Sequence, residues 1–226
     1  MQLGNIVISG GGDENQTSEI DRDFASILNR DLPLLYIPLA MESSTASYES
    51  CYEWITGVFR PLGIVNIEMW TELENKSLED LQNFSGVYLG GGNTFRLLNI
   101  LNDNHFTNVI KAFVKSGGSI YGGSAGGIVL GSHIMTAENS DENKECTGDY
   151  AGLQLLGKYA VQCHYEKKDH PFILSFIKEY QLPVIALSEE TGLFIKEHRI
   201  QVIGNKDAVV YNEGGIRTFG IGDGIE

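Results

Sequence analysis

Three strand-length apolar runs in this chain each end in a cluster of glycines, and this recurrence narrows the fold sharply. Asn5–Ser9 (NIVIS) runs into Gly10, Gly11 and Gly12. Gly86–Leu89 (GVYL) runs into Gly90, Gly91 and Gly92, and Ser119–Tyr121 (SIY) into Gly122 and Gly123. Runs of this length fit buried strands, and glycines at their ends admit sharp turns and close backbone approach. Leu34–Pro38 (LLYIP) and Ile64–Met69 (IVNIEM) read as two more strands. Between them, Ser43–Phe59 carries Tyr48, Cys51, Tyr52, Ile55 and Phe59 at helical spacing; Phe95–Leu101 and Phe106–Val114 are also helical, the first opened by Asn93-Thr94 as a cap. Such alternation predicts an α/β fold in three layers, a mainly parallel central sheet with helices on both faces. Ligands of such sheets sit at the C-terminal ends of the strands.

Beyond Leu130 the pattern changes. Gly131–Tyr150 is polar and aperiodic, which predicts a long surface loop or flap. A strand around Lys158–Cys163 and a helix at Pro171–Tyr180 follow. Strands at Val184–Leu187, Leu193–Lys196, Ile200–Ile203 and Ala208–Tyr211 complete the reading. With 226 residues and no internal repeat, one domain spanning 1–226 is the expected count.

Composition excludes several functions. A net charge of −14 repels phosphate backbones, so nucleic acid is not an expected partner. Cys51, Cys146 and Cys163 form no CxxC pair, which argues against a disulfide framework or a structural zinc. The N-terminus lacks a signal-peptide pattern, and no apolar stretch approaches the roughly 18 residues of a membrane span. A reduced cytoplasmic protein is expected, away from membranes.

Tyr121-Gly122-Gly123-Ser124-Ala125-Gly126-Gly127 carries the strongest chemical signal. A serine between small residues, at a strand-to-helix junction, has the form of a nucleophile elbow; the plain alternative is a glycine-rich turn whose serine caps a helix. Gly90-Gly91-Gly92-Asn93 at another strand end can direct backbone N–H groups at a ligand, so it is a candidate oxyanion hole shared with the Ala125 N–H. It lacks the GxGxxG and GK[ST] patterns of nucleotide sites.

A serine nucleophile requires a base. Of the five histidines, His105 and His198 lie in apparent surface turns, and His133 and His170 in polar loops. His164 closes a strand, where catalytic groups gather, while Cys163 beside it would face the other side as a buried bystander. For the acid that orients the imidazole, Glu189 and Glu190 follow the strand Val184–Leu187, and Asp141 and Glu138 in the polar stretch are rivals. Residue type and spacing do not choose among them.

Taken together, GGGNTFRLL at 90–98, GGSAGG at 122–127, QCHY at 162–165 and LSEETGLFI at 187–195 occur in this order. The chain thereby resembles the peptidase E/cyanophycinase family of serine peptidases, similar in fold to class I glutamine amidotransferase domains. The resemblance runs from the first strand to about Tyr211. It implies Ser124 as nucleophile, His164 as base, Glu189 as the acid, and the Gly92 and Ala125 N–H groups as the oxyanion hole. It also implies hydrolysis of small peptides through an acyl-enzyme, without metal or organic cofactor, by a monomer or homodimer. Aspartyl dipeptidases of the family carry an arginine shortly beyond the histidine; here residues 164–172 (HYEKKDHPF) contain none, so aspartate recognition is not implied. Two other readings remain at this level: a noncatalytic binding domain that retains the elbow, and an α/β-hydrolase esterase, whose triad order of Ser, acid, His differs from Ser124, His164, Glu189.

Overall fold

A computed structural model describes residues 3–144 and 148–226; Cys146 lies outside the described residues. The first half alternates strand and helix: β1 (Ile6–Ser9), α1 (Ser18–Ser26), β2 (Leu34–Ile37), α2 (Tyr48–Phe59), β3 (Ile67–Met69), α3 (Leu78–Leu81), β4 (Gly86–Leu89), α4 (Thr94–Asp103), α5 (Phe106–Lys115), β5 (Ser119–Gly123) and α6 (Ala125–Leu130). The second half holds β6 (Ala160–Gln162), α7 (His170–Tyr180), β7 (Val184–Ala186), β8 (Thr191–Lys196), β9 (Arg199–Gly204), β10 (Ala208–Asn212), β11 (Gly215–Phe219) and β12 (Gly224–Ile225).

An eight-stranded sheet runs in the order β12-β9-β8-β1-β5-β4-β2-β3. Its β1 to β5 are parallel, and β8, β9 and β12 extend it antiparallel from β1. Side chains alternate across it. Ile6 and Ile8 enter one core with Leu97, Leu98, Ile110 and Phe113 of α4 and α5, while Val7 enters the other with Phe24 of α1 and Ile55 and Phe59 of α2. Both faces are therefore covered, as a parallel sheet requires. A second sheet, β11-β10-β7-β6, packs Ala160, Val184 and Tyr211 against Ile173 and Phe176 of α7, and turns Val161, Ile185 and Val210 into the first core.

Register brings the glycine clusters together. Ser9 pairs with Gly123, and Leu89 with Gly122, so all three clusters open at one sheet edge. One row below, Val7, Tyr121, Tyr88 and Tyr36 stand side by side across four strands. The Tyr88 and Tyr121 rings stack at 4.3 Å, and Tyr36 meets Tyr88 edge-on at 5.6 Å.

Several expectations are corrected. The sequence predicts no helix between β1 and β2, yet α1 is there, anchored by Ile20, Phe24 and Ala25 alone on an otherwise charged segment. The helix expected over Ser43–Phe59 begins only at Tyr48, because the Ser47 hydroxyl accepts the Ser50 N–H at 3.1 Å and caps it there. The strand expected from Ile64 begins at Ile67. Within the expected surface loop, Ile134 and Ala137 are fully buried beside a 3-10 turn at Met135–Ala137, so this part of the segment is core. The terminal strands β11 and β12 are not foreseen, because their exposed residues carry little apolar pattern. Among the described residues, no helix is long and apolar enough to cross a membrane.

Asp21 of α1 is 2% exposed. Its Oδ2 accepts the Thr17 hydroxyl at 2.7 Å, and its Oδ1 has no partner among the described residues. Burial is the main reason its carboxyl is raised from 3.8 to about 6. Between those values the native state holds a proton that the unfolded chain has lost, so stability falls as pH rises through the window and levels off above it. The penalty reaches about 3 kcal/mol at neutral pH. We predict that the stability of Asp21→Asn relative to the native sequence rises by about 2 kcal/mol between pH 4 and pH 8. Urea unfolding at both pH values measures it, and a pH-independent difference would refute it.

Candidate active site

Ser124 lies where β5 turns into α6, and the turn is completed at this one residue. Its φ of 50° and ψ of −113° fall in a region that a side chain rarely tolerates. The strain is held from both sides. The Ser124 N–H donates to Ser9 O at 3.1 Å, and Ser124 O accepts the Ile128 N–H at 3.0 Å. The flanking glycines are steric necessities: a Cβ on Gly122 would come within 2.6 Å of Gly126 O, and one on Gly126 within 2.2 Å of Leu89 O. The expected elbow is thus a close approach of α6 to β4 and β5.

His164 lies two residues past β6, a strand of the second sheet, yet its N–H donates to Gly10 O, at the end of β1, at 2.8 Å. Its neighbour Tyr165 donates to Leu187 O at 3.0 Å. These bonds swing the imidazole over the first sheet, where Nε2 lies 2.7 Å from Ser124 Oγ. On the far side, Nδ1 lies 3.1 Å from Glu189 Oε1, and Glu189 Oε2 accepts the Gln16 amide at 2.9 Å. An ionised carboxylate only accepts hydrogen bonds. This assigns the proton to Nδ1 and leaves Nε2 to accept the serine hydroxyl. The hydrogen bond from His164, then that from Gln16, holds the Glu189 carboxyl below its ordinary value. The His164 and Glu189 side chains remain 45% and 43% exposed, so their contact orients groups more than it stabilises the fold.

The other acids lie elsewhere. Glu190, at φ 72°, turns away and pairs with Lys206 at 2.9 Å. Asp141 Oδ2 accepts the Thr94 N–H at 2.7 Å, at the first turn of α4, and Glu138 is exposed. Among the other histidines, His133 packs on Tyr180 and Phe176, His170 on Tyr211, and His105 and His198 are exposed. Cys163 is buried, its thiol directed at Ser9 O and Ser124 O, and burial raises it far above its ordinary value.

Gly91 and Gly92 border Ser124 from β4. A Cβ on Gly91 would stand 3.9 Å from Ser124 Oγ, and Gly92 has a φ of 134° that leaves it against Ala40 O. The N–H groups of Gly91, Gly92 and Ala125 take no partner among the described residues. No three His, Cys, Asp or Glu side chains converge as a metal site among those residues. Sequence reasoning missed Gln16, which sits in a turn where the Asn15 and Gln16 N–H groups donate to Asp13 Oδ1. It also missed the task of Gly11, where a Cβ would stand 2.2 Å from His164 Cε1.

The model for peptidase family S51 matches residues 5–203. A peptidase E of Shewanella denitrificans is 28% identical over 142 residues, covering 58% of this chain and 59% of that protein. The chain thus spans less than two thirds of that relative's length. A cyanophycinase of Trichormus variabilis is 24% identical over 217 residues, covering 91% of this chain and 72% of that protein. In fold, the chain is similar to the crystal structure of a peptidase from an acI-B1 Actinobacterium, with a TM-score of 0.74 and 19% identity over 100% of this chain and 97% of that one.

Gly11→Ala tests whether the first glycine cluster seats the imidazole. The added methyl should displace the His164 ring by about 1 Å or more and break its contact with Ser124, a shift that can cost about a hundredfold in rate. A crystal structure of the variant with the ring unmoved would contradict this.

Proposed function

The chain belongs to peptidase family S51, and from that footing we propose that it hydrolyses amide bonds of small peptides through Ser124, His164 and Glu189. The observation that carries the reading is the pair of contacts on one imidazole, 2.7 Å to a strained serine hydroxyl and 3.1 Å to a carboxylate.

In this reading Ser124 Oγ attacks the peptide carbonyl carbon as His164 Nε2 takes its proton. The carbonyl oxygen becomes an oxyanion, held by the Gly92 and Ala125 N–H groups with Gly91 alongside. Unpaired donors at a helix start suit charge that develops only in the transition state. The C–N bond then breaks as the imidazolium protonates the departing amine, leaving an acyl group on Ser124. Water attacks the ester, His164 again removes the proton, and collapse releases the acid and restores the serine. Glu189 holds the ring and balances its positive charge. Gln16, bonded to the other carboxylate oxygen, keeps Glu189 from rotating away. A cavity of about 370 Å³ beside Ser124 supports a substrate the size of a short peptide.

Two expected outcomes follow, read on purified protein against a panel of dipeptides and blocked peptides. Ser124→Ala should lose about four decades of kcat or more, and retention of a tenth of the native rate would refute the nucleophile. Glu189→Gln should lose more than about a hundredfold, around 2.7 kcal/mol of transition-state stabilisation, while Glu190→Gln and Asp141→Asn stay within about threefold. A crippling Asp141→Asn would instead assign the acid to the segment after α6.

A further inference from the structure

The cavity beside Ser124 and His164 extends away from them, along the carboxyl ends of β2 and β4, into a lobe of different character. Its walls there are Tyr36, Met41, Cys51, Trp54 and Tyr88. The three aromatic rings stand mostly edge-to-face, Tyr36 5.6 Å from Tyr88, Trp54 6.1 Å from Tyr88 and 6.4 Å from Tyr36. Tyr36 and Tyr88 are buried on two packed strands, so this part of the lobe is formed before any ligand arrives. Gly90 and Gly123 make room for it: a Cβ on either would come within about 3 Å of a tyrosine hydroxyl, Tyr36 or Tyr88 respectively.

Charge in and around the lobe points the same way. Among the described residues, no Lys, Arg, Asp or Glu lines the cavity. Burial pushes both phenols far above their ordinary values, so they stay neutral. Arg96 and Lys144 border a separate pocket that shares only Met41 and Ala46 with this one; there Arg96 donates to Leu39 O, and Lys144 pairs with Glu142. An acidic side chain entering the lobe would shed its water with no cation to receive it. An aromatic or branched aliphatic side chain would bury apolar surface against Trp54, Met41 and the exposed edges of the two tyrosines.

We propose that this lobe is the specificity pocket of the site, and that it takes an aromatic or large aliphatic side chain from a residue beside the scissile bond while excluding acidic ones. The proposal rests on the hydrolase reading above and adds the substrate class.

The test is kcat/KM for peptides carrying Phe, Leu, Ala, Asp or Lys in turn on each side of the cleaved bond. At one of the two positions, Phe or Leu should exceed Ala by about tenfold or more and Asp by about a hundredfold or more. Filling the lobe by Ala46→Phe, or from its exposed rim by Ser50→Phe, should lower the Phe-to-Ala ratio about tenfold; the rim variant covers a folding failure of the first. Best cleavage of Asp or Lys peptides at both positions, or an unchanged ratio in both folded variants, overturns the pocket while leaving Ser124-dependent hydrolysis intact. If no peptide is cleaved and Ser124 also ignores a fluorophosphonate, the hydrolase reading falls first and the pocket with it.

Discussion

One backbone hydrogen bond, from the His164 N–H to Gly10 O at 2.8 Å, fastens the strand end of the second sheet to the strand end of the first. The Gly10 N–H in turn donates to Thr191 O at 2.9 Å, two residues past Glu189. The end of β1 therefore holds the segments bearing His164 and Glu189, while Ser9 O holds the Ser124 turn from the same strand. Three segments, far apart in sequence, take their positions from one glycine cluster. This explains why that cluster tolerates no side chain: a Cβ on Gly10 would overlap Ser188 O, and one on Gly11 would overlap the His164 ring.

Positioning of this kind places the burden on backbone and packing rather than on the contacts among Ser124, His164 and Glu189 themselves. The His164–Glu189 pair is almost half exposed, where such contacts add little to stability. What it gains is orientation, reinforced by Gln16 and by strand ends that the sheet fixes. The strained Ser124 conformation and the unpaired buried oxygen of Asp21 both oppose folding. Burial of the two large apolar cores on either side of the sheet offsets them. Only the Ser124 strain lies at a strand end in the site, the usual location of stored strain; the Asp21 cost sits in α1.

Much of this was legible in the sequence. Apolar runs ended by glycines gave β1, β4 and β5 and the parallel order, because buried strands and sharp turns leave a local signature. That Ser124 and His164 stand at strand ends could likewise be read, since strand ends are locally marked. Spacing leaves Glu189, Glu190, Asp141 and Glu138 open, and only the family resemblance points to Glu189. The rest is tertiary. Helix α1 buries only three apolar residues, Ile20, Phe24 and Ala25, beside the buried Asp21, too few for its period to stand out among charged neighbours. Glu189 and Glu190 are adjacent and chemically alike; the left-handed Glu190 backbone and Lys206, on the connection from β9 to β10, send one side chain to the imidazole and the other away. Gln16 has no local mark at all, because its partner lies 173 residues later.

In the proposed mechanism His164, held by Glu189, makes Ser124 nucleophilic. The most direct measurement is the rate at which a fluorophosphonate adds to the protein, followed by intact mass and peptide mapping. A single adduct on Ser124 is expected, formed at least about a hundredfold more slowly in His164→Ala than in the native chain. Equal labelling rates in the two proteins, or an adduct mapped to any other residue, would contradict it.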